Sequence, residues 1–228
     1  MEGVTSNVEE FVAYYKGKPV IKNMFINELL KIPKKVIILD IGCGIGNLIS
    51  YLRLEGYEKV LGFDIDERII KVAKAEGVKD VFIGDAHNIP IRPNMINYAL
   101  CYSLIEHTNN PRAVVREILR LLKDEGFLYI SVPNGYSIND ILLRLGGKIL
   151  RGRTPHLQKF KKRDIMKLLE TTGFEIIEIK DRKGFILFNL PVWSSLLPSK
   201  IHSIFKKIGN ILGQSIKLGW ELKAKKHD

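Results

Sequence analysis

The sequence is poor in cysteine and glutamine, and both scarcities exclude or favour particular classes of protein. Its 228 residues include two cysteines, Cys43 and Cys101, which lie far apart and outside any CxxC pair or Cys/His cluster. Neither a disulfide framework nor a zinc site is therefore predicted, and we expect two buried free thiols in a reducing compartment. Two glutamines beside 31 isoleucines and 36 lysines and arginines give a thermophile-like composition.

Apolar runs long enough to cross a bilayer are also lacking. The first 20 residues are interrupted by the charged side chains Glu2, Glu9, Glu10, Lys16 and Lys18, so no signal peptide is predicted and we expect a cytoplasmic protein. Residues 184–199 carry no charge, but Pro191 and Pro198 break a stretch already shorter than the roughly 20 residues a spanning helix needs. Residues 184–214 either pack on the domain or form an interfacial segment in peripheral contact with a membrane or a lipid-like substrate.

The positive charge is concentrated in the last third of the chain. Residues 1–143 contain 17 Lys and Arg against 18 Asp and Glu, a balance of −1, whereas residues 144–228 contain 19 against 7, a balance of +12. Such a basic segment is typical of a surface that binds phosphates of nucleic acid, lipid headgroups or an anionic substrate. It is equally typical of a solvated, lysine-rich face.

Apolar runs of strand length alternate with segments of helical periodicity. Strands are predicted at residues 36–40, 59–64, 80–83, 96–102 and 127–132, and helices at residues 47–53, 67–76 and 112–122. Strands that alternate with helices in this way pair in parallel through right-handed crossovers. The sequence therefore predicts a Rossmann-like, doubly wound α/β sheet.

Acidic residues and glycines follow the predicted strands at the edge where such a sheet binds ligands. Asp40, Asp64 and Asp85 end three successive strands, and glycines at 42, 44 and 46 follow the first acid. A dinucleotide site would need the spacing GxGxxG, whereas here the spacing is GxGxG, with Asn47 where the third glycine would fall. Because a carboxylate beside the loop repels a pyrophosphate and attracts a cation, the pattern favours a ligand with positive charge nearby.

Four blocks in this order resemble class I S-adenosylmethionine-dependent methyltransferases, most of all the branch that includes the ubiquinone and menaquinone biosynthesis enzymes. The blocks are LDIGCGIG, VLGFDID, FIGDAHNIP and CYSLIEHTNNPRAVVREILRLLKDEGFLYISVPN, and a weaker resemblance continues in HLQKFKKRDIMKLLETTGFEIIEI. The resemblance implies a seven-stranded sheet with an antiparallel last strand and helical additions near the substrate side. One methyltransferase domain would span residues 1–228, with a cofactor-binding core at 35–134 and a closing strand at 215–225. Two insertions on the substrate side would occupy residues 135–160 and 184–214, and the first of these insertions would contain a helix at 138–145.

The resemblance also implies a bound S-adenosylmethionine, with S-adenosylhomocysteine as product. The loop from Asp40 to Gly46 would lie along the amino acid moiety and ribose, Asp64 would accept both ribose hydroxyls, and Asp85 would receive the adenine amino group. These roles suit the chemistry, because a carboxylate offers two acceptor oxygens to two vicinal hydroxyls. The full implied set is Asp40, Gly42, Cys43, Gly44, Gly46, Asp64, Ile65, Asp85, Ala86, Tyr102 and Tyr15.

One segment of the chain departs from the related branch, and the N-terminal segment has a resemblance of its own. The branch usually has Phe-Asp after the segment IPIRPN, where this chain has Ile96 and Asn97, so the fine geometry of that loop is expected to differ. The N-terminal segment VEEFVAYYKGK resembles an aromatic lid, in which Tyr14 and Tyr15 either fold over the methionine end or simply pack on the domain.

Methyl transfer to an oxygen or nitrogen requires removal of a proton, and two residues after the fourth strand are candidates for this role. Glu106 and His107 are the predicted catalytic residues, with His156 as a more distant third. The segment EHTNNP also serves as a loop and helix start, with Asn109 or Asn110 as the cap before Pro111. No metal ligand is predicted.

The sequence thus predicts a metal-independent methyltransferase acting on a small or lipid-like acceptor through oxygen, carbon or nitrogen. One alternative is an RNA-modifying methyltransferase that uses the basic last third, although its aromatic residues do not interleave with the basic ones as a stacking platform would. Another is a methyltransferase-like fold retained as a non-enzymatic binding module, for which the intact set of acids and loop glycines has no use.

Overall fold

The computed structural model of the chain describes residue 12, residues 25–137 and 156–183, several positions between 198 and 207, and residues 217–227. The strands are β1 Ile37–Ile41, β2 Lys59–Asp64, β3 Val81–Ile83, β4 Ile96–Tyr102, β5 Leu122–Pro133, β6 Phe174–Lys183 and β7 Lys217–Lys226. The helices are α1 Ile26–Leu29, α2 Asn47–Leu54, α3 Glu67–Ala75, α4 Pro111–Leu121 and α5 Lys162–Glu170, with a short 3-10 helix at Ile105–His107.

The seven strands form one sheet in the order β3-β2-β1-β4-β5-β7-β6. The pairs from β3 through β5 are parallel, whereas β7 is antiparallel to both of its neighbours, β5 and β6. The predicted doubly wound sheet with an antiparallel last strand is therefore confirmed. The strand order reverses between β1 and β4, which is where sheets of this class bind ligands beyond the carboxyl ends of the strands.

The sheet is buried on both faces, as the apolar composition of its strands predicts. Ile38 and Leu39 are adjacent in β1 and fully buried, yet they belong to different hydrophobic clusters. Successive side chains of a strand point to opposite faces, so each cluster fills one side of the sheet. Ile118 of α4 and Ile165 of α5 pack in the first cluster, while Leu52 of α2 packs in the second.

Helix caps fix two of the connections that follow the strands. The Asn110 side chain accepts a hydrogen bond from the Ala113 N–H at 3.1 Å, and Pro111 occupies the first turn of α4. Asp66 likewise accepts the Arg68 N–H at 3.0 Å at the start of α3. Of the two predicted caps for α4, Asn110 is thus the one used, and such a cap contributes about 1 kcal/mol.

The main difference from the predicted strands lies in β5. Leu122 already pairs with Ile96, so β5 begins directly after α4 rather than at Phe127. A register shift lies between Ile96 and Tyr98: Leu122 pairs with Ile96, the regular ladder resumes with Phe127 opposite Tyr98, and Glu125 in the irregular stretch between them has a φ of 66°. The regular part of β5 therefore coincides with the predicted strand.

Several predicted features lie outside the described residues. These are Tyr14 and Tyr15, the helix at residues 138–145, and nearly all of residues 184–214. Among the helices that the structure describes, none has both the length and the apolar character needed to cross a membrane.

Candidate cofactor site

The glycine loop between β1 and α2 is held against the end of β2 by its own backbone. The N–H groups of Gly42 and Cys43 donate to the Phe63 carbonyl at 2.7 and 2.9 Å. Gly46 has a φ of 77°, and a Cβ added there would lie 2.9 Å from a methyl carbon of Val78. Glycine is therefore required at 46 both by the backbone conformation and by the neighbouring side chain. The compact turn leaves its backbone accessible to a ligand at the sheet edge.

Asp64 ties this loop to the next strand. Its Oδ2 accepts the N–H of Gly44 at 3.0 Å, and its Oδ1 accepts the N–H of Asp66 at 3.0 Å. Burial raises the pKa of the Asp64 carboxyl, and these two backbone hydrogen bonds oppose the rise. Because a carboxylate has about four acceptor positions, both oxygens retain capacity for the two ribose hydroxyls predicted to bind there.

Asp40 is the most deeply buried of the three predicted acids. It is 5% exposed at the carboxyl end of β1. Burial, helped by the negative charge of Asp64, raises the pKa of Asp40 to about 7. A cationic ligand beside Asp40 would stabilise its charged form, so the pair of acids is suited to a ligand that carries positive charge.

The third acid, Asp85, lies just beyond β3 and is half exposed. Its Oδ1 accepts the His87 N–H at 2.9 Å and lies 2.6 Å from His87 Nδ1. The backbone hydrogen bond from His87 is the main reason that the pKa of Asp85 is lowered. Ala86 packs against the hydrophobic core, whereas Ile65 after β2 exposes 52% of its surface beside the loop. An apolar surface and an ionised acceptor thus border the position predicted for the adenine.

The two thiols differ, although both cysteines are free. Cys101 is fully buried in β4 as predicted, whereas Cys43 is only partly buried, like its neighbours Gly42 and Gly44 in the loop after β1. Burial raises the pKa of both thiols above the ordinary range of a cysteine thiol. They are therefore neutral and poorly nucleophilic, and Cys43 is left with a packing role in the loop.

The acceptor side of the site lies at the carboxyl end of β4. Tyr102 ends this strand, and its buried hydroxyl has no hydrogen-bond partner among residues 25–137, 156–183 and the other described positions. Glu106 and His107 follow in the 3-10 helix, and the His107 ring lies 5.1 Å from that of His156, centroid to centroid. Burial raises the pKa of Glu106 to about 7, although the charge of Arg182 opposes the rise. The structure thus brings all three predicted candidates for proton removal together.

Comparison with known proteins agrees with this geometry. The sequence profile of the family described as "Methyltransferase domain" matches residues 18–179, well over half of the chain. The chain belongs to the class I methyltransferases. The assignment made from its four sequence blocks is confirmed, and the protein is an S-adenosylmethionine-dependent methyltransferase by family.

Individual relatives of the methyltransferase are distant. An uncharacterized protein of Methanocaldococcus jannaschii is 28% identical over 187 residues, which are 75% of this chain and 70% of the relative. A ubiquinone biosynthesis O-methyltransferase of Idiomarina loihiensis is 26% identical over 167 residues, 66% of this chain and 68% of the relative. The crystal structure of a SAM-dependent methyltransferase from Archaeoglobus fulgidus has a TM-score of 0.68 at 19% identity, covering 95% of this chain and 98% of that one. At such identity the likeness shows the fold.

Asn97 of the methyltransferase, which replaces the acid usual in the related branch, lies far from the glycine loop. Its Oδ1 accepts the N–H of Ile37 at 3.0 Å, and Ile37 begins β1 whereas the loop follows the end of that strand. Asn97 therefore joins β4 to the start of β1. The asparagine that stands here in place of the usual acid therefore leaves the ligand edge of the sheet unchanged.

Three residues that border the site were missed by the sequence analysis. The Leu104 side chain lies 3.0 Å from the position of a Cβ on Gly42, so it closes one side of the loop. Arg182 of β6 and Glu221 of β7 approach within 3.6 Å of each other near Glu106 and Tyr102. The two charged residues come from the end of the chain, and only the antiparallel insertion of β7 brings them to this edge.

Proposed function

We propose that this methyltransferase binds S-adenosylmethionine along the loop from Asp40 to Gly46 and transfers its methyl group to a small or lipid-like acceptor through oxygen, carbon or nitrogen. The observation that carries the proposal is the joint placement of Asp40 and Asp64 at the glycine loop. Asp64 bonds the backbone of Gly44, and its charge helps to raise the pKa of the buried Asp40. Two adjacent acids of this kind favour a cationic ligand over a polyanionic one.

The residues present fit the cofactor in charge and in hydrogen bonding. Asp40 would hold the positively charged amino acid end, Asp64 the ribose hydroxyls, and Asp85 the adenine amino group. Ile65 would cover one face of the adenine, since more than half of its surface is open to solvent in this structure. The bound cofactor supplies a methyl group already activated by its positive sulfur.

The protein must then align the acceptor and deal with its proton. Tyr102, Glu106 and His107 would act on the acceptor, since all three lie at the end of β4 or directly after it. The Tyr102 hydroxyl, which is buried and has no hydrogen-bond partner among the described residues, would orient a polar atom of the acceptor. Leaving such a group unpaired costs about 1–3 kcal/mol, so a ligand that bonds it gains affinity.

The proposal of a small or lipid-like acceptor is supported by the name of a relative and by the pairing of the basic residues. The Idiomarina loihiensis relative is described as a ubiquinone biosynthesis O-methyltransferase. Lysines in the last third of this chain bind acids of the first two thirds: Lys180 and Lys223 both bind Glu28, at 2.8 and 3.1 Å, and Lys226 binds Asp124 at 3.1 Å. These lysines are occupied within the fold, which favours a structural role for them over an RNA-binding one.

Calorimetric titration with S-adenosylhomocysteine tests the cofactor proposal. We expect micromolar binding that Asp64→Asn weakens at least tenfold, because the loss of charge removes a strong acceptor for the ribose hydroxyls. Asp124→Asn is the matched control, since Asp124 is 76% exposed and forms its ion pair with Lys226 at the surface. Failure of the unmodified protein to bind, or equal weakening by both variants, would contradict the proposal.

A further inference from the structure

We propose that Glu106, His107 and His156 form a binding site for one divalent transition-metal ion such as Zn²⁺ or Mn²⁺. Each residue offers one ligand atom, and these three atoms lie within 4.8 Å of one another. Two ligand atoms on opposite sides of an ion, each bonded at about 2.1 Å, stand about 4.2 Å apart. Small side-chain rotations would therefore complete a site of two imidazoles and one carboxylate, a donor set that suits such ions.

An independent observation at Glu106 also indicates a missing ligand. The residue is 1% exposed, and its Oε2 is buried without a hydrogen-bond partner in the part of the chain that the structure describes. A buried carboxylate oxygen is normally hydrogen-bonded or bound to a metal, because an unpaired one has lost its water and gained nothing in return. A bound ion would give this oxygen the partner that the protein does not provide.

The three residues are held together by the backbone rather than by chance contact of mobile side chains. The Glu106 carbonyl accepts the N–H groups of Leu157 and Gln158 at 2.8 and 2.9 Å. These two bonds fix the segment that carries His156 against the 3-10 helix that carries His107. Phe160, which is buried in the core and bridges to Asn134, anchors the other end of the same segment. The ligand atoms are thus already close before an ion binds.

The charges around the cluster are compatible with a cation. Arg182 is the positive group that acts on Glu106, but it also lies 3.6 Å from the buried Glu221. Its single charge is therefore shared between two carboxylates. The two carboxylates therefore leave negative charge at this edge that a divalent ion would offset.

An ion in this position would stand at the acceptor side of the cofactor site. A metal ion lowers the pKa of a hydroxyl group that binds to it, so the cluster would suit an acceptor whose oxygen is the nucleophile. This connection to the acceptor rests on the proposed function. Binding of the ion itself does not rest on the proposed function, because it requires neither cofactor nor acceptor.

The test is a titration of the full chain, freed of metal with a chelator, with Zn²⁺ by calorimetry and with Mn²⁺ by electron paramagnetic resonance. We expect one ion per chain, with affinity at least tenfold weaker in His156→Ala and in Glu106→Gln. His227→Ala is the matched control, since His227 lies on the exposed end of the chain beyond β7. Using Mn²⁺ alongside Zn²⁺ distinguishes binding at this cluster from binding at the cysteine thiols, because Mn²⁺ prefers oxygen and nitrogen ligands.

Thermal melting provides a second readout that does not depend on activity. The ion should raise the Tm of the unmodified protein and of His227→Ala, but not that of His156→Ala, provided that the three proteins melt alike without metal. Equal binding to His156→Ala and the unmodified protein, or no binding at all, would overturn the proposal. S-adenosylhomocysteine binding is measured on the same samples, and it should survive His156→Ala, so failure of the metal site and failure of the cofactor site are distinguished.

Discussion

Binding of S-adenosylhomocysteine is expected to release a proton from Asp40 at pH 6 and almost none at pH 8. In the free protein, burial and the charge of Asp64 raise the pKa of Asp40 to about 7. The ligand keeps the positive ammonium of its amino acid end, which we place beside Asp40. An opposite charge at close range lowers the pKa of a carboxyl group by about 1–3 units.

The size of the effect follows from a shift of about two units, to a pKa of about 5 in the complex. At pH 6 the Asp40 carboxyl would then be about 90% protonated before binding and about 10% after it, a release of about 0.8 proton. At pH 8 it is about 10% protonated or less in both states, so the release falls to about 0.1 proton. The same linkage makes the affinity about ninefold weaker at pH 6 than at pH 8.

Calorimetry in buffers of different ionisation enthalpy measures the proton release directly. The Asp40→Asn variant should bind S-adenosylhomocysteine without releasing a proton, and its affinity for this ligand should not change between pH 6 and pH 8. Glu106→Gln is the second control, because the pKa of Glu106 is also raised to about 7 by burial. The reasoning is refuted if the unmodified protein releases no proton at pH 6, or if Asp40→Asn releases as much as the unmodified protein.

Three further predictions concern stability and the adenine side of the site. Because the pKa of Asp40 lies above its ordinary 3.8 in the folded state, its contribution to stability is greatest below pH 4 and is lost as the pH rises through 7. Asp40→Asn should therefore raise the Tm at pH 8 and leave it unchanged at pH 4, as scanning calorimetry would show. Gly46→Ala should lower the free energy of unfolding by about 1–2 kcal/mol in urea titrations, because alanine disfavours the left-handed backbone. His87→Ala should weaken S-adenosylhomocysteine binding by about two- to tenfold in the same calorimetric assay, because Asp85 loses one of its two contacts with His87, the one to the imidazole, while the backbone hydrogen bond remains.

The sheet could be predicted from the sequence because its strands are short, apolar and separated by clear helical segments. β2 has the predicted limits, Lys59 and Asp64, since the chain bends immediately before and immediately after this strand. The predicted beginning of β5 was too late, because the charged, irregular stretch at residues 123–126 conceals the pairing of Leu122. Local patterns thus located the regular ladders but could not show a strand that continues through an irregular stretch.

The clustering of the residues proposed to bind the cofactor could be predicted for a similar reason. Asp40 and Asp64 each lie at a strand end, and the parallel sheet brings strand ends together whatever the details of packing. The acceptor side could be predicted only in part, because His156 meets Glu106 through backbone bonds between segments that are remote in sequence. No local pattern announces such a contact, so the three ligand atoms were not expected to form a group.

The placement of buried acids would allow a chain with a net charge of +11 to bind cationic ligands. Asp66, just beyond β2, and Glu117 of α4 are buried, and each forms an ion pair with its own arginine, Arg68 and Arg120. The balance differs for three other buried acids at the carboxyl edge of the sheet. Asp40, Glu106 and Glu221 are 5%, 1% and 3% exposed, and Arg182 stands between the last two.

Carboxylates buried without enough cations are costly to keep ionised, and burial raises the pKa of Asp40 and Glu106 to about 7 in the free protein. This cost is offset when a positive group binds. The positive end of the cofactor would relieve Asp40, and a metal ion would relieve Glu106. The two predictions are therefore independent consequences of one feature, an edge at which the acids outnumber the cations among the residues that the structure describes. If Glu106→Gln and Asp40→Asn each abolish only their own linkage, the two acids bind separate cations, as we propose.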